Sequence, residues 1–333
     1  MKVLIAKRLA LLPFVALAVA TIVFFVLRIV PGNAADVLAQ QATYGQKQQI
    51  IKSLGLNQSV LEQYWLFLKG FVHLNFGSSF YSGDSVAYLL GQTLPVTIEL
   101  AVAAVVVMVL IGVTTGILAA AFRDTWIDSG SRLLATFFFS MPWFALGILL
   151  ILLFGVKLKW LPTYGRLPAT VNYQPKTNFI LIDAVLEDRY DLIWPWIQHL
   201  ILPALTVGLT TAGFVTRITR AAFVETMSED FVRTARMKGM RERRVFWRHI
   251  FRNASLPIVT IVGLQFGALL GGAVISEVVF AYPGVGRLMV NAIFQRDYPV
   301  VQGAALVIAF LYILVNTLTD ISYLYLDPRL RRA

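Results

Sequence analysis

Cysteine is absent from the 333 residues. That excludes disulfides, thiolate metal sites and cysteine nucleophiles. Histidine is nearly absent too: His73, His199 and His249 are too scattered to form a metal cluster. Charge is scarce, at 14% of residues, whereas soluble domains carry about 25%. No G-x-x-x-x-G-K-[ST] phosphate loop, H-E-x-x-H or G-x-S-x-G pattern occurs. The chain therefore has no motif for hydrolysing ATP by that route and no recognisable catalytic set, and it reads as a non-enzyme. The net charge of +11 does not suggest nucleic acid, because no soluble domain is large enough to carry a basic face.

Apolar sequence is abundant: 58% of residues are hydrophobic and the mean hydropathy is +0.71. Six nearly uncharged stretches reach spanning length: Leu9–Val30, Pro95–Phe122, Leu133–Val156, Leu200–Phe223, Ala254–Phe280 and Val300–Leu326. Backbone amides in lipid must be satisfied internally, and runs this long and continuous read as helices rather than barrel strands. The first run is too long for a signal peptide and reads as an uncleaved span. Arg28, near its end, is placed to snorkel to the headgroups.

The loop charges orient the chain. Lys2, Lys7 and Arg8 put the N-terminus in the cytoplasm, and six spans return Arg329, Arg331 and Arg332 to that side. Ten basic residues between Arg217 and Arg252 fall there too. Residues 31–95 balance three basic against three acidic side chains, and residues 157–200 five against four. The resulting division is 1–30 (cytoplasmic end and first span), 31–94 (outside insert), 95–326 (five-helix core with a cytoplasmic segment 227–253) and 327–333 (cytoplasmic tail).

The insert contains a helix-like piece, about 46–69, with Ile50, Ile51, Leu54, Leu61, Tyr64 and Leu68 on one face. The segments around Phe71–Tyr81 and 157–200 are rich in aromatics, which favour the interface. These outside segments read equally as structural caps or as a docking surface for a soluble partner. Gly112 with Gly116, and Gly263, Gly267, Gly271 and Gly272, are spaced for close helix packing. Met141-Pro142 is placed to kink the third span. Glu99 and Glu277 are carboxylates in apolar surroundings. They are candidate pathway residues, or groups hydrated or hydrogen-bonded near the outer interface.

Residues 227–257 read MSEDFVRTARMKGMRERRVFWRHIFRNASLP. Ser228, with Glu229 and Asp230, suits a helix start. Phe231, Val232 and Ala235 are spaced as an apolar stripe on a short helix, about Glu229–Lys238, and Gly239 is a natural stop. Val245, Phe246, Ile250 and Phe251, set among arginines, then predict a basic amphipathic helix along the membrane. The residues alone also allow a basic loop that fixes topology and binds anionic lipid.

This segment resembles the cytoplasmic signature of permease subunits of binding-protein-dependent ABC importers. Thr234, Ala235, Gly239 and Leu256-Pro257 fall at the matching positions. Arg233 stands where many such permeases have glutamate, and the distance from Gly239 to Leu256-Pro257 exceeds that of the sugar-type permeases. Both departures resemble the dipeptide/oligopeptide/nickel branch. So do Arg28-Ile29-Val30-Pro31-Gly32, Leu54-Gly55-Leu56, Asn75-Phe76-Gly77, His199-Leu200-Ile201-Leu202-Pro203-Ala204, the run Phe280 to Arg287, Arg296-Asp297-Tyr298-Pro299 and Asp327-Pro328-Arg329. The resemblance covers essentially the whole chain and is to the dipeptide-permease B type.

It implies an all-α polytopic membrane protein with six transmembrane helices of the type I ABC importer permease fold. It also implies a function, as subunit of an ATP-driven importer of di-/oligopeptides or related solutes. The short helix would be a coupling helix. Glu229, Asp230, Phe231, Val232, Arg233, Thr234, Ala235, Arg236, Lys238 and Gly239 would meet a groove of an ATPase, with Gly239 permitting close backbone approach. The implied partners are a second homologous permease, two ATPase subunits holding ATP-Mg, a periplasmic or lipid-anchored binding protein and membrane lipid. No cofactor is expected on this chain. The alternative is an ion- or proton-coupled secondary transporter, against which stand the scarcity of mid-span charge and the absence of a clear repeat. A membrane-bound enzyme or scaffold has no constellation to support it.

Overall fold

The computed structural model describes residues 2–29, 48–49, 51–52, 55–73 and 75–326. Val30-Pro31-Gly32, Ile50, Leu54, Asp327-Pro328-Arg329 and the arginines of the tail lie outside the described residues, as does most of 31–54.

Every predicted apolar stretch is helical, with altered ends. The first helix, α1, is Lys2–Ile29. After the insert helix α2 (Val60–Val72), α3 runs over Val86–Ala121. It starts well before Pro95, which lies inside it, because Ser85 caps it by accepting the Tyr88 N–H at 3.2 Å. The third stretch is not one rod. It breaks into α4 (Trp126–Ser140) and α5 (Trp143–Leu150, continued by a π-helix Ile151–Lys157), bent by 105°. Met141 is extended there (φ −79°, ψ 130°), because the following proline ring disfavours helical backbone before it.

Beyond a short helix α6 (Ile180–Leu186) comes α7, Ile193–Ser228. The rest comprises α8 (Asp230–Met237), α9 (Arg252–Val279), α10 (Val285–Phe294) and α11 (Tyr298–Leu326). Among the described residues four helical rods are long and apolar enough to cross a membrane, and the bent pair makes a fifth. With 28 residues, α1 is about 42 Å long, also enough to cross.

α7 is the centre of the bundle, buried along most of its length. Its contact with α3 depends on small residues. A Cβ on Gly112 would lie 2.8 Å from Val215, and one on Gly208 would lie 2.6 Å from Val107. Gly116 sits equally close to Thr219. On α9, Gly263 and Gly267 face Thr319 and Tyr312 of α11, but Gly271 faces open space and makes no such contact.

The predicted 46–69 helix is interrupted by a turn at Gly55 (φ +67°) and restarts at Ser59, whose hydroxyl forms a capping box with Glu62. Tyr64 and Phe67 of α2 pack on Phe24 of α1. Leu61, expected on the packed face, is 73% exposed. Arg28 does not extend along the span. It folds onto the Phe24 ring and donates to Gln63 Oε1 at 2.8 Å. The end of the bundle near α2 is the insert end below; α8 marks the opposite end.

Candidate functional site

The segment after α7 forms a short helix seated on the bundle. Ser228 does not start it. It is the last residue of α7, and its hydroxyl donates to the Glu225 carbonyl at 2.7 Å. Glu229, extended at φ −67° and ψ 146°, is the N-cap, and Asp230 occupies the first turn near the positive end of the helix dipole.

Val232 and Ala235 point inward, at 0% and 4% exposure. They enter an apolar cluster with Ala120 of α3, Ala222 and Phe223 of α7, Val245, Ile250, and Ala254 and Ile258 of α9. The predicted stripe is therefore not an outward face. Phe231 stands off it, exposed, with its ring 6.5 Å from that of His249. The reason is burial: where three helices end together, turning two aliphatic side chains inward removes more apolar surface from water than turning them out. Asp230, Phe231, Arg233, Thr234, Met237 and Lys238 form the exposed skin.

Gly239 ends α8 at φ +70°, its N–H bonded to the Arg236 carbonyl at 2.9 Å. Among the described residues, no atom beyond Gly239 and its two chain neighbours lies within 4 Å of where its Cβ would be, so the backbone angle, not a close approach within the chain, requires glycine. Arg236 closes the turn on Glu242, at 3.0 and 3.4 Å. The predicted basic amphipathic helix is present, with Val245 and Ile250 buried, but it is not separate from the next span. A helical turn, Glu242–Arg244, and a π-helix, Val245–Phe251, lead straight into α9. Arg243, Arg244, Trp247, Arg248 and Arg252 stay exposed on it.

Glu99 and Glu277 lie at the insert end, both buried and both bonded. Glu99 accepts from Arg166 Nη2 and the Ile180 N–H, each at 2.6 Å. Arg166 also reaches the Asn178 carbonyl at 2.6 Å, which ties the 158–180 loop to α3. Glu277 accepts from Thr97 Oγ1 at 2.7 Å and the Arg287 N–H at 2.9 Å, while Thr97 accepts the Val285 N–H at 2.8 Å. A side chain on Gly284 would collide with the Glu277 carboxylate. The Pro283-Gly284-Val285-Gly286-Arg287 run is thus a wrapping around one buried acid. Of the sequence alternatives for these two, the structure displays hydrogen bonding; neither carboxylate faces open space.

Other holding groups escaped the sequence reading. Asp128 of α4, at 0% exposure, accepts from Nε and Nη2 of Arg220 of α7, each at 2.6 Å, with Arg132 at 3.2 Å. Asp297 accepts from Ser79 Oγ at 2.5 Å and the Phe80 N–H at 3.1 Å. Asp183 accepts from Tyr173 Oη (2.6 Å), Thr177 Oγ1 (2.7 Å), and the N–H groups of Thr177 and Lys176. Burial pushes the Asp183 pKa up, but those donors outweigh it and hold the carboxyl below its ordinary value. One faint signal existed in sequence: each is an acid beside or within a largely apolar run.

Comparison with known proteins agrees with this architecture. Residues 112–332 match the family model described as binding-protein-dependent transport system inner membrane component, and residues 1–101 match its N-terminal companion. A di/tripeptide transport system permease protein of Pseudomonas aeruginosa is 38% identical over 329 residues, covering 98% of each chain. A probable D,D-dipeptide transport system permease protein of Escherichia coli is 38% identical, covering 96% of this chain and 95% of its own. An Escherichia coli glutathione transport system permease protein is 37% identical over 98% of each. Among solved structures, the inward-facing MetNI methionine ABC transporter aligns at a TM-score of 0.52 and 15% identity, over 72% of this chain and 97% of that one. That likeness bears on the fold.

Proposed function

The chain belongs to the binding-protein-dependent transport system inner membrane component family, and from that premise we propose what it carries and what drives it. It is a multi-pass permease subunit of a binding-protein-dependent ABC importer, with the type I permease fold. Its solute is a di- or oligopeptide, or a related compound such as glutathione, in line with the transport named for its relatives. Its partners are a second homologous permease, two ATPase subunits that hold ATP and magnesium, and a periplasmic or lipid-anchored binding protein. It lies in the bacterial inner membrane with both termini cytoplasmic, so α8 faces the ATPases.

The seat of α8 carries the reading. A short helix with a charged skin rests on the ends of α3, α7 and α9, so a push on it reaches three helices at once. In the contact, Asp230, Phe231, Arg233, Thr234 and Lys238 meet the ATPase groove, and the charges supply register. Glu229, Val232, Ala235, Arg236 and Gly239 hold α8 in shape. Glu99 and Glu277 hold the insert-end loops around the pathway rather than touching solute.

The test is purification of the chain with the products of its neighbouring genes, followed by ATPase assay. Co-purification of an ATPase and a second permease, with hydrolysis stimulated by loaded binding protein, is the expected result. A chain that purifies alone and moves solute along a proton or sodium gradient refutes the proposal.

A further inference from the structure

We propose that α4 is clamped to the coupling-end half of α7 and travels with it as one body during transport, with Asp128 as the positioning residue of the clamp. This rests on the coupling role proposed for α8.

Three contacts join α4 to α7. Asp128 meets Arg220 through two bonds of 2.6 Å. Two turns away, the Ala135 backbone lies so close to Gly213 that a side chain there would collide with the Ala135 carbonyl. A turn further, the Phe139 ring stacks on Phe214 at 6.0 Å and carries the Arg217 guanidinium at 4.4 Å. The clamp thus covers residues 128–139, about 16 Å of helix.

Its grip is directional. A fork-to-carboxylate pair fixes angle as well as distance. Asp128 is fully buried and its other partners, Arg132 and the Asp124 N–H, belong to its own segment, so sliding α4 along α7 would cost this acid both Arg220 bonds and leave it only the half-exposed Arg132. α7 passes into α8 at Ser228 and Glu229 with no linker, only two turns beyond Arg220. Displacement of α8 therefore reaches α4 through this pair. Across the 105° break, α5 packs instead through Gly147 on Thr206, Val279 and Phe280, toward the insert end.

The chain lacks cysteine, so Ser129→Cys and Ala221→Cys, both exposed, are its only spin-labelling sites, used in a complex whose other subunits have been freed of cysteine. In the assembled complex in lipid, the expected result is a single label distance, unchanged between nucleotide-free and ATP-bound states. Asp128→Asn should keep co-purification and basal hydrolysis, broaden that distance, and lower uptake per ATP about tenfold. Arg217→Gln, which leaves the ion pair in place, should lower it about threefold. The charge swap Asp128→Arg with Arg220→Asp should recover part of the loss. A label distance that changes with nucleotide in the otherwise unaltered chain, or unchanged uptake per ATP in Asp128→Asn, overturns the clamp. If Asp128→Asn does not assemble, Arg217→Gln decides by the same two readouts. A complex that hydrolyses ATP yet moves no solute refutes the importer reading, and the label distance still judges the clamp.

Discussion

The two ends of the bundle are held by different forces. At the insert end, Glu99, Glu277, Asp183 and Asp297 are buried acids that fasten loops by hydrogen bonds. Under α8 the holding is apolar, by Val232, Ala235, Phe223 and Ile250, and the charges stay on the outside. Loops without regular backbone bonding need directional partners, and a buried acid supplies several at once. A helix satisfies its own backbone and needs only a seat, which leaves its polar face free for another protein. Asp128 departs from this pattern because it joins two helices inside the bundle rather than seating α8.

Substitutions at four positions sharpen that contrast. Ala235→Asp should have the largest effect, because it drives a carboxylate into the apolar seat at a cost of about 3 kcal/mol or more. Uptake should be abolished with the protein still in the membrane, and protease should cut around α8; near-normal uptake would remove α8 from the mechanism. Glu277→Ala leaves Thr97 and the Arg287 N–H without their acceptor, costing about 2–4 kcal/mol. Thermal unfolding in detergent reads that loss, and Glu277→Gln, which keeps one acceptor oxygen, should lose less. Equal losses in the two variants would mean that packing rather than bonding matters there.

Gly239→Val must hold a β-branched residue at φ +70°, costing about 1–2 kcal/mol with no collision to add. Uptake should fall while ATP hydrolysis persists, and Gly239→Asn, which tolerates that conformation better, should fall less. The smallest effect concerns acid. The Asp183 pKa is held below the unfolded value of 3.8, so its contribution to stability is complete above 3.8 and is lost as pH falls through the folded value. Asp183→Asn should erase that acid-dependent step in a melting series. Identical acid profiles for the variant and the unsubstituted chain would refute it.

Much of the frame was legible without coordinates. The helices at Leu9, Pro95, Leu200, Ala254 and Val300 stood out because transfer of apolar side chains into lipid is summed residue by residue along the chain. Gly239 was legible as a stop because a positive φ selects glycine locally. The motif runs around Asn75, Phe280 and Arg296 were visible as strings, but not their purpose, which is to meet at the insert end.

Local pattern therefore determined the membrane class, the helices and the place of α8. Only the tertiary structure decided that Val232 and Ala235 turn inward, how far the kink predicted at Met141-Pro142 bends its span (105°), and that the arginine-rich stretch runs into α9. It alone decided the acid partners: Thr97 lies 180 residues from Glu277, and Ser79 lies 218 from Asp297. Hydropathy and capping are properties of neighbours in sequence, whereas a buried acid is satisfied by whichever donors the packing of distant helices brings to it.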